Sequence, residues 1–230
     1  MDIVIKESCR SCIYSASLFE GLSHDELDYL VKYSSQKYYR KGEFIIKEGD
    51  EVNTISFLKR GLLKLYTKNP EHKDQIISIA RPNDCVGLLS VFSSDHFNYN
   101  LTAIEDSVLY TIELSAIKHI LFKNGAFGLH LLQNISRAAD VIIRKNIEMS
   151  KKNICGRIAF CLLAFSENVY HNTSFDLPVS RKEIAELIGM TTENVIRVFS
   201  EFRHDGIIAI QNKTITILNI ERLKLIEKNG

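Results

Sequence analysis

The stretch "SRKEIAELIGMTTENVIRVFSEF", residues 180–202, decides the fold. Ser180 and Glu183 have the spacing of a capping box, where each side chain satisfies an N–H left unpaired at a helix start. The helix that follows has Ile184, Leu187 and Ile188 as its inner face. Gly189 comes four residues after Ala185, where the chain must turn sharply and a side chain would obstruct. Thr191 then caps a second helix, with Val195, Val198, Phe199 and Phe202 facing inward. With Arg181 as first position, the needs of a helix-turn-helix are met together. They are a small residue at the crossing (Ala185), glycine at the turn (Gly189) and a β-branched residue in the second helix (Val195).

The outer face of the second helix holds Thr192, Glu193, Ile196, Arg197 and Ser200. Ile196 is out of place on a solvated face, but in a major groove it can touch a thymine methyl. Arg197 can donate twice to guanine, and Glu193 can accept from cytosine N4–H. Ser180, Arg181 and Thr191, at the starts of the two helices, complete the expected DNA face. Glu193 and Arg197 also have the i,i+4 spacing of a surface salt bridge, and the Glu can then hold the Arg in its reading rotamer.

Beyond this helix, Ile208 and Ile210 alternate against Ile215 and Ile217 across a turn at Gln211-Asn212-Lys213. That pattern is a wing, and Lys213 at its tip is placed to approach phosphate. Upstream, "CGRIAFCLLAFSENVY" begins the same helical domain, residues 151–230, and "SFDLPVS" reads as its internal loop. Before it, a segment from about Ala126 to Lys151 has no Pro or Gly after Gly128 and is longer than an average globular helix. Leu131, Ile135, Ala138, Ile142 and Met149 recur along it at coiled-coil spacing, which predicts a dimer seam within residues 115–150. Residues 37–114 are a series of short β-type runs separated by Gly, Asn and Pro, the pattern of a β-roll or barrel. Residues 1–36 carry a cysteine pair and a short helix capped by Ser23 with Glu26.

Composition bounds the function. The 230 residues are 45% apolar, enough for real cores, yet no apolar run approaches the ~20 residues of a membrane span. The start lacks the features of a signal peptide, and five cysteines are too few for a disulfide scaffold, so a cytoplasmic location is expected. The net charge is +1, with about −1 before residue 151 and +2 after it. A general polyanion binder would be more basic, so DNA affinity must come from a few placed contacts, doubled by dimerisation.

A β-roll, a long helix and a winged helix-turn-helix, in that order, resemble the Crp/Fnr superfamily of bacterial transcription regulators. The resemblance covers almost the whole chain. "KGEFIIKEGD" and "SFLKRGLLKLY" look like the family's glycine turns at Gly42, Gly49 and Gly61, and "NDCVGLLSVF" like the segment leading into its effector pocket. "LPVSRKEIAELIGMTTENVIRVFSEFRHDGII" is similar to its DNA-binding region. The resemblance implies an α+β chain: an antiparallel β-roll of the cyclic-nucleotide-binding type (a double-stranded β-helix), a dimerisation helix and a winged helix-turn-helix. Glu193 and Arg197 match the family's core base-reading pair. Thr192 stands where the cyclic-AMP receptor branch has another base-reading Arg, and Ile196 replaces a small residue.

The effector half departs from that branch. Its ribose-holding Glu and phosphate-holding Arg are absent: Gly87 is followed by Leu88-Leu89, and the later stretch is "NYNLTA". Ile142 and Ile143 align with its Thr and Ser hydroxyls. A buried phosphate without a cation is costly, so no cyclic-AMP response is expected. Cys9-x-x-Cys12 is similar to the cluster-bearing fumarate–nitrate branch, but the expected third and fourth thiolates fall near Ser17 and Tyr110, so no iron–sulfur cluster is expected. No histidine grouping marks a haem ligand or any other metal site. There remain an apolar pocket at Gly87, Leu88, Leu89, Tyr99, Asn100, Ile142 and Ile143, and Cys9/Cys12 as a thiol or metal redox pair.

The reading is a homodimeric regulator of palindromic double-stranded DNA. RNA polymerase is a further partner if it activates, and no membrane is involved. A cupin-type β-roll enzyme is the competing class, but it needs His-x-His with a carboxylate, and no His-x-His occurs. A bare interaction module would not explain a capped helix-turn-helix with Glu and Arg on its outer face.

Overall fold

A computed structural model describes residues 10, 12–14, 16–69, 73–88 and 90–230. The chain divides into two compact units, residues 1–67 with 78–142 and residues 68–77 with 143–230.

In the first unit, α1 (His24–Lys32) starts at Ser23 with the expected capping box to Glu26. The strands of the β-roll, whose residues 68–77 fall in the second unit, are β1 (Ser34–Tyr39), β2 (Phe44–Ile46), β3 (Thr54–Arg60), β4 (Leu63–Lys68), β5 (Asp74–Ala80), β6 (Cys85–Val86), β7 (Asn100–Ala103) and β8 (Ser107–Glu113). They form two antiparallel sheets ordered β1-β8-β3-β6 and β2-β7-β4-β5, the β-roll. Between them Leu58, Leu63, Leu101 and Leu109 are buried almost completely, where apolar positions alternate into the core. Gly61 joins β3 to β4 at φ 93°, and a Cβ there would lie 2.2 Å from Ser107 Oγ. Both the backbone angle and the crowding therefore require glycine.

The helices α2 (Leu114–Leu121) and α3 (Gly125–Lys151) follow. A second apolar cluster joins Leu30, Ile55, Ile112, Ile117, Phe127 and Leu131. β1 was not expected as a strand from Ser34, because "SSQKYY" is mostly polar and lies on a sheet edge. Its pairing with β8, Gln36 against Tyr110, defines it.

In the second unit, α4 (Ile154–Phe165) begins at Asn153, whose side chain accepts from the Gly156 N–H. After it come β9 (Ser174–Asp176), α5 (Arg181–Ile188), α6 (Thr192–His204), β10 (Ile208–Gln211), β11 (Thr214–Ile217) and α7 (Ile220–Asn229). The wing pairs as its alternation requires, Ile208 with Ile217 and Ile210 with Ile215. "SFDLPVS" is not all loop: residues 174–176 add a third strand to the wing, too short to show a period. α7 was also not anticipated. Asn219 caps it, and Leu223 is fully buried. Among the described residues no helix is long and apolar enough to cross a membrane.

Candidate DNA-reading face

The helix pair assembles from its caps. The Ser180 N–H donates to Glu183 Oε2 at 2.9 Å, and the Glu183 N–H donates back to Ser180 Oγ at 3.2 Å. Both residues are thereby committed to starting α5. Gly189 ends α5 in the left-handed region (φ 68°, ψ 41°). The space around it is open, with Arg157 Nη1 at 3.9 Å from a would-be Cβ, so the backbone angle and not obstruction requires glycine. Arg157, which the sequence did not mark, donates from Nη1 to the Ile188 carbonyl at 2.8 Å and from Nε to the Lys152 carbonyl at 2.9 Å. It satisfies a carbonyl left over at the end of α5.

Thr191 Oγ1 accepts from the Asn194 N–H at 3.4 Å and caps α6. Val195, Val198, Phe199 and Phe202 are buried, as the spacing predicts, and Ala185 is buried at the crossing. Leu187, expected inside, is only half-buried. Anchored on that side, α6 turns Glu193, Ile196, Arg197 and Ser200 outward, with Ile196 about half exposed at 51% and Thr192 half-buried.

Two side chains depart from expectation. Arg197 does not pair with Glu193. Its Nη1 lies 2.6 Å from Glu201 Oε1. Glu193 is held at the start of α6, where its own N–H and then the Thr191 hydroxyl keep its carboxyl below the usual range. Free N–H groups and the positive end of the helix dipole favour a carboxylate there. Arg181 lies with its guanidinium 4.0 Å from the centre of the Phe199 ring, and burial lowers its pKa. Ser200 Oγ donates to the Ile196 carbonyl at 3.0 Å, and Lys213 is exposed in the wing turn.

The other expected residues are not brought together as a group. Leu131 is buried at 2% in the first unit's own cluster, and Ile135, partly buried, packs against it. Ala138, Ile142 and Met149 are half-buried. The exposed apolar residues of α3 are Leu129, Leu132, Val141, Ile143 and Ile147. Four of them, all but Val141, lie between about a third and nearly half a turn from the expected stripe at 3.6 residues per turn.

In the effector pocket, Leu88 is buried in the apolar cluster and Asn100 Oδ1 accepts from the Glu48 N–H at 3.2 Å. Tyr99 packs edge-on to Phe97, with ring centres 5.5 Å apart. A cavity of about 400 Å³ in the first unit is lined by Leu88, Phe92, Ser93, Leu121, Gly128, Leu131, Leu132 and Ile135. Of the expected set, Leu88 lines it among the described residues, and the pocket lies against the first half of α3. Gly87 is buried, Ile143 is exposed on α3, and Leu89 and Cys9 lie outside the described residues. Cys12 is half-buried. Among the described residues no group of three or more His, Cys, Asp or Glu could hold a metal ion.

This arrangement is a β-roll joined through a long helix to a winged helix-turn-helix DNA-binding domain. The model of the cyclic nucleotide-binding domain matches residues 36–124, and that of the Crp-like helix-turn-helix domain matches residues 156–226. The fumarate and nitrate reduction regulatory protein of Vibrio cholerae is 28% identical over 221 residues, 92% of this chain and 86% of its own. The anaerobic regulatory protein of Aggregatibacter actinomycetemcomitans is 27% identical over 96% of this chain and 88% of its own. FixK2 from Bradyrhizobium japonicum shares the fold with a TM-score of 0.76 at 21% identity, over 86% of this chain and 98% of its own. The chain belongs to the Crp/Fnr family of transcription regulators. Its relatives are regulators and not enzymes.

Proposed function

We propose that the chain works as a cytoplasmic homodimer that reads an inverted repeat in double-stranded DNA through α6. The observation that carries this reading is the exposure of Glu193, Ile196 and Arg197 on a helix whose other face is locked in a core. Arg197 donates to guanine, Glu193 accepts from cytosine, and Ile196 packs on a thymine methyl. Thr192 and Ser200 border this set, and Arg181, Thr191 and Lys213 stand at its edges for phosphate. Ser180 contributes by holding α5 in place, its side chain being spent on the cap.

The dimer forms along the exposed stripe of α3 that includes Leu129, Leu132, Ile143 and Ile147, while Ala138, Ile142 and Met149 lie half-buried on another face of the helix. Two copies of α6 then enter major grooves about 34 Å apart. Cyclic AMP is not the effector. Leu88, buried in an apolar cluster, stands where the ribose-holding Glu would be, and a buried charge without a partner is costly. Neither haem nor an iron–sulfur cluster is part of this reading, and RNA polymerase is the further partner if the dimer activates. A second reading is thiol-based sensing through Cys9 and Cys12.

Selection of bound duplexes from a random pool tests the main reading. An inverted repeat is expected, and Arg197→Ala should abolish preference for it while the dimer persists. Unchanged affinity of Arg197→Ala in a gel-shift titration would overturn it. Cyclic AMP should give no heat of binding in calorimetry.

A further inference from the structure

We propose that Glu201 is a specificity-determining residue: it holds the Arg197 guanidinium until a guanine replaces it, and so suppresses binding to unrelated DNA. This rests on α6 being the base-reading helix.

Three observations lead there. Arg197 Nη1 and Glu201 Oε1 are 2.6 Å apart, and both side chains are about half exposed, at 55% and 46%. The alternative partner, Glu193, has the intrinsically better orientation for a helical ion pair, with the acid N-terminal to the base. Glu193 is nevertheless engaged by its own N–H and by Thr191. The reading Arg is thus left to an acid one turn further from the start of the helix.

Glu193, Arg197 and Glu201 form one row along α6, each about 6 Å beyond the last at 1.5 Å per residue. In the docking geometry of these helices the first turn meets base edges, so Glu201 sits deeper along the row, toward the flanking phosphates. The energetics then favour selection. An exposed ion pair is weak, and a bidentate contact to guanine is stronger, so the correct base can take Arg197 from Glu201. A wrong base offers no such exchange. Arg197 stays neutralised, and the Glu201 charge opposes the phosphates. Glu201 acts through Arg197 and through charge, without itself touching a base.

The test uses the full-length protein, the duplex selected by the wild type and a scrambled duplex of equal length, titrated by fluorescence anisotropy over a range of salt. Glu201→Gln should tighten binding to the scrambled duplex about fivefold and to the selected duplex less than about twofold. It should also steepen the salt slope on scrambled DNA by about one, the value for one additional phosphate contact. Glu201→Asp, which keeps the charge, should keep the wild-type slope. A merely structural surface pair would leave the slope unmoved. An unchanged affinity ratio and slope in Glu201→Gln would overturn the proposal. Arg197→Ala separates the two levels. If it erases the preference while Glu201→Gln changes nothing, only the role of Glu201 fails. If it keeps the preference, the reading of α6 fails.

Discussion

Gly156, in the first turn of α4, and Gly230 approach so closely that a Cβ on Gly156 would lie 2.6 Å from the Gly230 carbonyl carbon. The Asn153 N–H donates to the Gly230 oxygen at 2.6 Å in the same place. Lys152, one residue earlier, pairs with Glu227 of α7 at 2.6 Å. The end of α7 is therefore fitted onto the start of α4, and only a glycine at 156 allows it.

Gly156→Ala should destabilise the second unit by about 1–3 kcal/mol, the usual cost of overpacking. Gly125→Ala is the control. It lies in the first turn of α3 with nothing within 4 Å of a new Cβ. It should be neutral or stabilise by up to about 1 kcal/mol. Urea midpoints for both variants check the pair.

Gly61→Ala should cost more. The new Cβ would meet Ser107 Oγ at 2.2 Å and the Asp106 carbonyl at 2.7 Å, at a backbone angle unfavourable to L-residues. A loss of at least about 2 kcal/mol in the first unit is expected from crowding and left-handed strain. A thermal midpoint equal to wild type would contradict this account of the turn.

Leu131 and Leu132 are neighbours with opposite expected effects. Leu131→Ala should cost about 2–5 kcal/mol of stability, as for other buried Leu truncations, because its side chain is 2% exposed. Leu132→Asp, at a position 59% exposed, should leave folding nearly intact and shift the protein toward monomer. Thermal denaturation and sedimentation together separate the two outcomes.

Burial pushes the Cys161 thiol up to about 12 from its ordinary 9.0. The folded state thus favours the protonated form. The stability this contributes is full below pH 9 and is lost as the pH rises toward 12. The urea midpoint should fall across that window, and Cys161→Ala should flatten the decline. Native protein at pH 8 should also leave Cys161 unreacted with a thiol reagent, since the thiolate is the nucleophile.

Much of the fold was legible because its cues are local. Capping boxes at Ser23 and Ser180, the turn at Gly189 and the wing alternation each depend on residues a few positions apart. The elements that escaped were short or polar. β1 and β9 are fixed by their pairing with β8 and β11, far away in sequence. α7 has its cap at Asn219 in plain view, but with Leu223 as its buried position it carries little helical periodicity.

The reading face divides in the same way. Periodicity alone placed Val195 inside and Arg197 outside. Spacing could not choose between Glu193 and Glu201 as the partner of Arg197, because both are four residues away. Nor could it say which stripe of α3 belongs to its own β-roll, since Leu131 and Leu132 are both apolar. The sequence by itself determined the helix-turn-helix, the wing and the residues on the outer face of α6, through contacts within one or two helical turns. The tertiary structure decided which distant groups meet: Leu131 is buried in the core of its own unit, and Gly156 is held against Gly230. Those outcomes depend on packing between residues far apart in sequence, and no local pattern encodes that.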